Sequence, residues 1–190
     1  MKQALLIIDV QNDYFPGGKS ELHNALKTVD NIEKILAWFR QKQLPVIHVQ
    51  HINTYEGAAF FLPETEGTCI HNRLTPIKGE NLITKHAPNS FLGTNLEAIL
   101  RENDITNLVI CGMMSHMCID TTVRACMDHG IKVTLPEDAC TTKNLMWQGE
   151  QIPAEVVHNT FMAALNGMFA NVTKTREVSH GSASTAFESV

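Results

Sequence analysis

The sequence predicts an α/β fold in which helices cover both faces of a parallel sheet. Short apolar runs alternate along the chain with longer segments of helical period, and this alternation is typical of βαβ units. The first run, residues 4–10, is almost uninterrupted, as expected of a strand that is buried on both faces. The length of 190 residues suits about one domain. A composition of 44% hydrophobic and 18% charged residues is that of an ordinary folded, soluble protein.

Six short strands are predicted, each ending near a polar residue: 4–10, 45–49, 82–85, 108–112, 131–135 and 169–173. Between the first two strands, apolar residues recur every three or four positions over 22–39, which predicts an amphipathic helix. Residues 94–97 form a capping-box sequence that opens a second helix. Helical spacing over 119–129, and a segment bracketed by Pro153 and Asn166-Gly167, predict two more helices.

Two segments lack a regular period. Residues 53–79 are broken by Gly and Pro, and long connections of this kind usually cover a site or a subunit contact. Residues 179–190 are rich in Ser, Ala and Gly, so we expect a flexible tail there. The expected domain therefore spans residues 1–178.

Charge and cysteine content exclude several classes of function. The 15 Lys and Arg against 20 Asp and Glu give a charge of −5 without a basic run, so nucleic acid is not an expected partner. No segment approaches the ~18 apolar residues of a membrane span, and the apolar run at 4–8 is shorter than a signal-peptide core. Five Cys without a CxxC spacing predict reduced thiols in the cytoplasm and no structural zinc.

Three reactive side chains lie at predicted strand ends, where open parallel sheets bind their ligands. Asp9 ends the first strand, Lys85 closes the third, and Cys118 lies in the loop after the fourth. Right-handed crossovers would bring all three to one edge of the sheet. The sequence therefore predicts that an acid, an ammonium group and a thiol meet there.

Cys118 is the most informative of the three because a helix is predicted to begin beside it. The helix dipole and the Lys85 ammonium would then lower the pKa of the thiol from its free value of about 8.5. Asp9 could accept the thiol proton and pass it to a leaving amine, while Lys85 holds Asp9 in place. Position alone leaves the ordinary alternatives open: a buried apolar Cys118, a loop-capping Asp9 and a solvated Lys85.

Three motifs stand out: DVQNDYF at 9–15, Lys85 followed by SFLGTNL at 90–96, and GMMSHMC at 112–118 followed by Thr121, Val123, Arg124 and Ala125. These motifs resemble the isochorismatase-like cysteine hydrolases, a family that includes nicotinamidases, N-carbamoylsarcosine amidases and isochorismatases. They occur in the family's order and spacing. Residues 138–141 and 157–165 also look like its last third, so the resemblance covers roughly residues 3–175.

The resemblance implies a three-layer, Rossmann-like sandwich with a six-stranded parallel sheet, and a catalytic triad of Asp9, Lys85 and Cys118. In amidase members the thiolate attacks a carbonyl, ammonia or an amine leaves, and water hydrolyses the thioester. By position, the backbone N–H groups of Met114 and Cys118 would form the oxyanion hole, with a cis peptide between Met113 and Met114. The resemblance implies no cofactor, and it implies a homo-oligomer, a dimer or tetramer, acting on a small molecule.

The chain departs from nicotinamidases, which also carry an Asp and two His that bind a metal. Here His51 and Asn53 fall roughly where the Asp and the first His would stand, and His48 and His71 are irregularly spaced. We therefore expect no metal. Isochorismatases proper cleave a vinyl ether and lack the cysteine, so Cys118 favours hydrolysis of a C–N bond in a small amide, carbamoyl or lactam compound.

Two alternatives stay open: a vinyl ether hydrolase of the isochorismatase type, and a non-catalytic protein of the same fold that binds a ligand or senses oxidants through its thiol. The walls of the pocket are less well determined by the sequence. Phe15 and Trp147 could stack on a flat substrate or simply pack. His116, in the loop before Cys118, could bind the substrate or face solvent.

Overall fold

A computed structural model describes residues 2–179 and contains a central parallel sheet flanked by helices. The strands are β1 (Lys2–Ile8), β2 (Val46–His51), β3 (Asn81–Lys85), β4 (Ile105–Met113), β5 (Lys132–Pro136), β6 (Cys140–Thr141), β7 (Leu145–Trp147), β8 (Glu150–Ile152) and β9 (Asn171–Thr173). The helices are α1 (Ala25–Gln41), α2 (Leu96–Glu102), α3 (Asp120–Asp128), α4 (Ala154–Leu165) and α5 (Thr175–Ser179).

Six strands form the continuous path of the sheet in the order β3-β2-β1-β4-β5-β9, and all neighbours are parallel. These are the six predicted strands, and the predicted fold class is confirmed. The short β6 adds a seventh strand by pairing with the end of β4, and β7 and β8 form a separate antiparallel hairpin. The strand order reverses between β1 and β4, so the position where ligands bind in such sheets lies at their carboxyl ends.

Two apolar layers cover the sheet. Alternate side chains of β1 point to opposite faces, so Leu6 joins the layer under α2, α3 and α4, whereas Leu5 and Ile7 join the layer under α1. Residues 4–8 are at most 2% exposed, which explains why this strand is continuously apolar. The short α5 packs against α1. The result is the expected sandwich of helices, sheet and helices.

The helices follow the predicted periods with small shifts at their ends. α1 begins at Ala25, after Asn24 in a left-handed conformation, so Leu22 is buried ahead of the helix. The first residue of α2 is Leu96, and Asn95 rather than Thr94 takes the cap position, although the Thr94 hydroxyl still accepts a hydrogen bond from the Leu96 N–H at 3.2 Å. α4 lies within the predicted bracket.

The connection between β2 and β3, residues 52–80, is held against the carboxyl edge of the sheet by Asp13. Its carboxylate accepts hydrogen bonds from the backbone N–H groups of Phe61 at 2.6 Å and Lys19 at 3.1 Å. A Cβ at Gly67 would lie only 2.3 Å from this carboxylate, so the close approach requires glycine. The buried Asp13 therefore fixes the connection over the strand ends.

The expected tail, 179–190, lies outside the described residues apart from Ser179, which ends α5. Within residues 2–179, none of the helices combines the length and the apolar character that crossing a bilayer requires.

Candidate active site

The structure brings the acid, the ammonium group and the thiol together at the carboxyl edge of the sheet. Asp9 follows β1, Lys85 ends β3, and Cys118 lies in a π-helical turn, Ser115–Ile119, that leads into α3. The Lys85 Nζ lies 2.8 Å from Asp9 Oδ2 and 3.2 Å from Cys118 Sγ. All three residues are at most 4% exposed, so their charges interact in a site shielded from water.

Two backbone features place these groups. Gly112 has φ of +128°, and a Cβ there would lie 2.0 Å from the Ile8 carbonyl oxygen, so only glycine lets β4 end tightly against β1. Asp9 has φ of 53°, a left-handed conformation that costs a non-glycine residue on the order of 1–3 kcal/mol and is concentrated at functional sites. The peptide between Met113 and Met114 is cis, as the family resemblance implies.

Four neighbours share the three N–H donors of Lys85. Those with ordinary hydrogen-bond geometry are His51 Nδ1 at 2.8 Å, the Ala87 carbonyl at 3.0 Å and Cys118 Sγ at 3.2 Å. The contact with Asp9 is an ion pair, and neither buried Asp9 oxygen has a hydrogen bond of ordinary geometry within residues 2–179. The Asp9 carboxylate is therefore held by charge while its oxygens stay available to accept a proton.

The charge state of Lys85 follows from the same contacts. Burial lowers the pKa of Lys85, but Asp9 and Cys118 more than offset this effect and raise the pKa above its usual value. Lys85 is therefore an ammonium group, with a charge that balances the carboxylate beside it.

The prediction that the pKa of Cys118 is lowered is wrong. Burial raises the pKa of the thiol above its usual value, the Asp9 carboxylate raises it further, and Lys85 only partly offsets both. The sequence places the thiol beside a helix start and a lysine, but it does not reveal how completely the loop is buried. In the resting site Cys118 is therefore a protonated thiol.

Two buried side chains that sequence reasoning did not assign to this site complete it. His51, the last residue of β2, lies beside Lys85 and Asp9, with Nδ1 3.8 Å from Asp9 Oδ2. Gln11 donates to the His51 and Thr68 carbonyls at 2.8 and 2.9 Å and accepts from the His51 N–H at 2.7 Å. The signal for Gln11 in the sequence is its place in the 9–15 motif. The sequence indicates His51 only as a candidate metal ligand.

The three histidines considered for a metal do not come together. His48 is bonded to Glu80 Oε2 at 2.9 Å, and the ring of His71 lies 4.1 Å from the ring of Phe15. Potential ligand atoms of Asp9, His51 and Cys118 do lie within 4.8 Å of one another. The Lys85 ammonium contacts all three of them, so it takes the place that a cation would occupy there.

Aromatic rings from the 9–15 motif and the β2–β3 connection pack against one another, and one of them interacts with the charged groups of the site. The buried Tyr14 contacts Phe61 and Phe60, with ring centroids 4.6 and 5.9 Å away. Burial raises the pKa of Tyr14, and the nearby Cys118 and Asp9 raise it further, which places its hydroxyl in their field. The sequence leaves the neighbouring Phe15 open between stacking on a flat substrate and simply packing, and in the structure its ring lies against His71.

The other two residues expected to line the pocket lie in different surroundings. Trp147 is 69% exposed on the β7–β8 hairpin. His116 is hydrogen-bonded through Nδ1 to the Thr142 hydroxyl and meets the edge of Phe161 at 6.0 Å. Protein groups therefore hold the His116 ring, and a substrate contact of either residue stays a prediction.

The chain has a parallel α/β sheet with a buried acid, lysine and thiol at the point where the strand order reverses. This combination defines a class of hydrolase-like folds. Comparison with known proteins identifies the family. The model of the Isochorismatase domain matches residues 3–177. The chain belongs to the isochorismatase family.

The similarity to individual members extends over nearly the whole chain. YddQ, an uncharacterized isochorismatase family protein of Bacillus subtilis, is 51% identical over 175 residues, which cover 92% of this chain and 97% of that protein. The crystal structure of a provisionally assigned isochorismatase hydrolase from Oleispira antarctica superposes with a TM-score of 0.91 at 43% identity, covering 95% and 97% of the two chains.

More distant relatives carry the names of enzymes. A streptothricin hydrolase of Streptomyces noursei is 32% identical over 75% of this chain and 51% of its own length. Nicotinamidase of Escherichia coli and N-carbamoylsarcosine amidase of Arthrobacter are similar at 26% and 24% identity. The chain is thus an isochorismatase-family hydrolase with amidases among its relatives.

Proposed function

We propose that this protein is a cysteine-dependent hydrolase that cleaves the C–N bond of a small amide, carbamoyl or lactam-type substrate through a thioester. The observation that carries the proposal is the contact of the Lys85 ammonium with both Asp9 and Cys118 in one buried site. The amidase names among the relatives support the same class of reaction.

In the first half of the reaction, Asp9 accepts the thiol proton of Cys118 and the sulfur attacks the carbonyl carbon. Because burial raises the pKa of Cys118, the proton leaves only as Asp9 takes it. The carbonyl oxygen gains the negative charge, and the backbone N–H groups of Met114 and Cys118 are the proposed donors to it. The adduct then collapses, the C–N bond breaks, and Asp9 returns its proton to the departing nitrogen as ammonia or an amine leaves.

In the second half, water attacks the thioester carbonyl and Asp9 takes a proton from that water. The C–S bond breaks, the sulfur recovers the proton from Asp9, and a carboxylic acid product is released. Lys85 stays an ammonium group throughout. Its hydrogen bond to sulfur therefore stabilises the thiolate whenever the thiolate forms.

The test is release of ammonia or amine from a panel of small amides, carbamoyl compounds and lactams. We expect Cys118→Ala to abolish release, while Cys69→Ala, which removes an exposed thiol, leaves it unchanged. Mass spectrometry of rapidly quenched enzyme should find the acyl group on Cys118 alone.

Three outcomes would contradict the proposal. Amide hydrolysis that survives Cys118→Ala would remove the nucleophile. Pyruvate release from isochorismate that survives the same change would favour vinyl ether hydrolysis instead. Reversible oxidation of Cys118 in a protein that hydrolyses no member of the panel would favour the thiol sensor.

A further inference from the structure

His51 is a buried residue of the site that the proposed reaction does not use. It is 8% exposed at the end of β2, and its backbone is fixed on both sides by the Gln11 side chain. Its Nδ1 lies 2.8 Å from Lys85 Nζ. Its Nε2 is buried and has no hydrogen bond of ordinary geometry within residues 2–179. One nitrogen of the ring is thus engaged by Lys85, and the other faces the Asn53 side chain without a hydrogen bond of ordinary geometry.

The contact with Lys85 determines where the imidazole proton lies. An ammonium group can only donate, so His51 Nδ1 must accept and the ring proton must be on Nε2. A protonated His51 would instead turn an N–H and a positive charge toward Lys85. The charged and polar groups that face the ring are Asp9, Lys85, His86 and Asn53. Burial and Lys85 lower the pKa of His51 more than Asp9 and Asn53 raise it, so the ring is neutral.

The acceptor atom of His51, Nδ1, also affects how readily Asp9 accepts a proton. Lys85 has three N–H groups, and His51, Ala87 and Cys118 compete with Asp9 for them. Without the His51 acceptor, the freed N–H would turn to the Asp9 oxygen 2.8 Å away. A carboxylate that accepts this charge-assisted hydrogen bond is a weaker base. His51 therefore keeps Asp9 competent to take the thiol proton.

Aromatic side chains pack beside the His51 ring. The His51 ring is 6.2 Å from that of Phe61, which in turn contacts Tyr14. A flat substrate held against these rings would meet one neutral N–H donor beside the nucleophile. Such a site selects a planar amide that carries a second hydrogen-bond acceptor, for example a second carbonyl or a ring nitrogen.

We propose, building on the amidase function proposed above, that His51 is a positioning residue for Lys85 and that its Nε2–H binds a second acceptor on a planar amide substrate. The first role acts through Lys85 and Asp9 and affects turnover. The second acts on the substrate and affects its binding.

The protonation state can be tested without a substrate. In full-length protein with ¹⁵N-labelled histidine, NMR should show His51 as the neutral Nε2–H form at pH 7, assigned by the loss of its signals in His51→Asn. His86 provides the contrast, because its Nδ1 contacts the Ile52 carbonyl at 2.8 Å and must carry the proton. A protonated His51, or one with its proton on Nδ1, would overturn the proposal even if the enzyme proves to be an amidase.

Two substitutions separate the two roles. His51→Asn keeps an acceptor close to the position of Nδ1 but has no Nε2 donor, whereas His51→Leu has neither. We expect His51→Asn to raise KM about tenfold with kcat within about threefold, and His51→Leu to lower kcat about a hundredfold as well. His86→Asn is the matched control and should change neither constant. Equal kinetics for His51→Asn and His51→Leu, or a wild-type kcat in His51→Leu, would contradict the assignment.

The positioning role also has a readout that needs no turnover. The rate of Cys118 alkylation as a function of pH should shift in His51→Leu, because Lys85 is released from its present geometry, and should stay near wild type in His51→Asn. If no amide is hydrolysed but this difference is seen, the proposed function fails and the positioning role stands. If both profiles match the wild type, the positioning role fails.

Discussion

His48 and His51 lie three positions apart on β2, and their surroundings differ in a way that separates a structural role from a chemical one. His48 meets an acid: its Nε2 contacts Glu80, which also accepts two hydrogen bonds from Arg40. His51 meets a cation, Lys85. Both rings carry their proton on Nε2, but in His48 that N–H is satisfied and the unpaired atom is an acceptor, whereas in His51 the unpaired atom is the donor.

The difference matters because buried donors are rarely left without a partner. His48, Glu80 and Arg40 form a closed set that joins β2 to α1 and the start of β3, so this set stabilises the fold. His51, Lys85 and Asp9 form an open set, in which the Asp9 oxygens and His51 Nε2 have no hydrogen bond of ordinary geometry. The comparison shows that burial alone does not mark the reactive end of the strand. The mark is whether the unpaired atom is a donor or an acceptor, and where that atom lies.

The largest effect is expected from Asp9→Asn, which removes the proton acceptor of the open set. Amide hydrolysis should fall on the order of 10³-fold, because the buried thiol has lost its base. The pKa of Cys118 should nevertheless fall, since the Asp9 charge is one of the causes that raise it. Alkylation across pH 5–10, read by mass spectrometry, would then show Cys118 reacting at lower pH in an inactive variant.

The other cysteines serve as internal controls in that experiment. Burial raises the pKa of Cys126 and of Cys140 to about 12, so neither should respond to Asp9→Asn. An unchanged Cys118 profile would mean that Asp9 does not act on the thiol.

The next largest effect is expected on stability, from the closed set of His48, Glu80 and Arg40. Burial alone would raise the pKa of Glu80, but hydrogen bonds from Arg40, the Ile77 N–H and His48 lower it to about 2 from an ordinary 4.5. A lowered pKa stabilises the folded state above pH 4.5, and this contribution is lost as the pH falls toward 2. Glu80→Gln should therefore cost about 2 kcal/mol of unfolding free energy at pH 7.

Urea unfolding at several pH values would check this. The difference in unfolding free energy between wild type and Glu80→Gln should become smaller as the pH falls from 4.5 to 2. Amide hydrolysis at pH 7 should stay at the wild-type rate. Loss of activity in a fully folded Glu80→Gln would show that the two sets are coupled.

The smallest effect is expected from His48→Gln, which keeps a donor near Glu80. Because the amide only partly replaces the imidazole donor, it should cost at most about 1 kcal/mol in urea unfolding, the usual value of one hydrogen bond, without a change in KM or kcat. The matching variant at the other histidine is His51→Asn, which should change KM. If both histidine variants behave alike, the contrast between the two ends of β2 is wrong.

Much of this arrangement could be predicted from the sequence because it depends on local patterns. The apolar runs located all six strands of the main sheet, and the rule for strand ends brought Asp9, Lys85 and Cys118 to one edge. The strands β6, β7 and β8 were missed because two or three residues carry no period.

What escaped prediction depends on contacts between distant segments. The pKa of Cys118 is governed by burial under several elements, which the residues around it do not encode. Tyr14 interacts electrostatically with the thiol, and Asp13 beside it is anchored to Phe61, 48 positions away. The role of His51 rests on which of its nitrogens meets Lys85, and only three-dimensional geometry determines that.

The ion pair between Lys85 and Asp9 has a consequence for what enters and leaves the site. With a neutral His51 and a protonated Cys118, the charges of the resting centre sum to zero. An uncharged amide therefore enters without displacing a counter-ion. The carboxylate that the proposed reaction produces finds Lys85 already engaged and Asp9 close by, so like charge favours its departure and product inhibition by the acid should be weak.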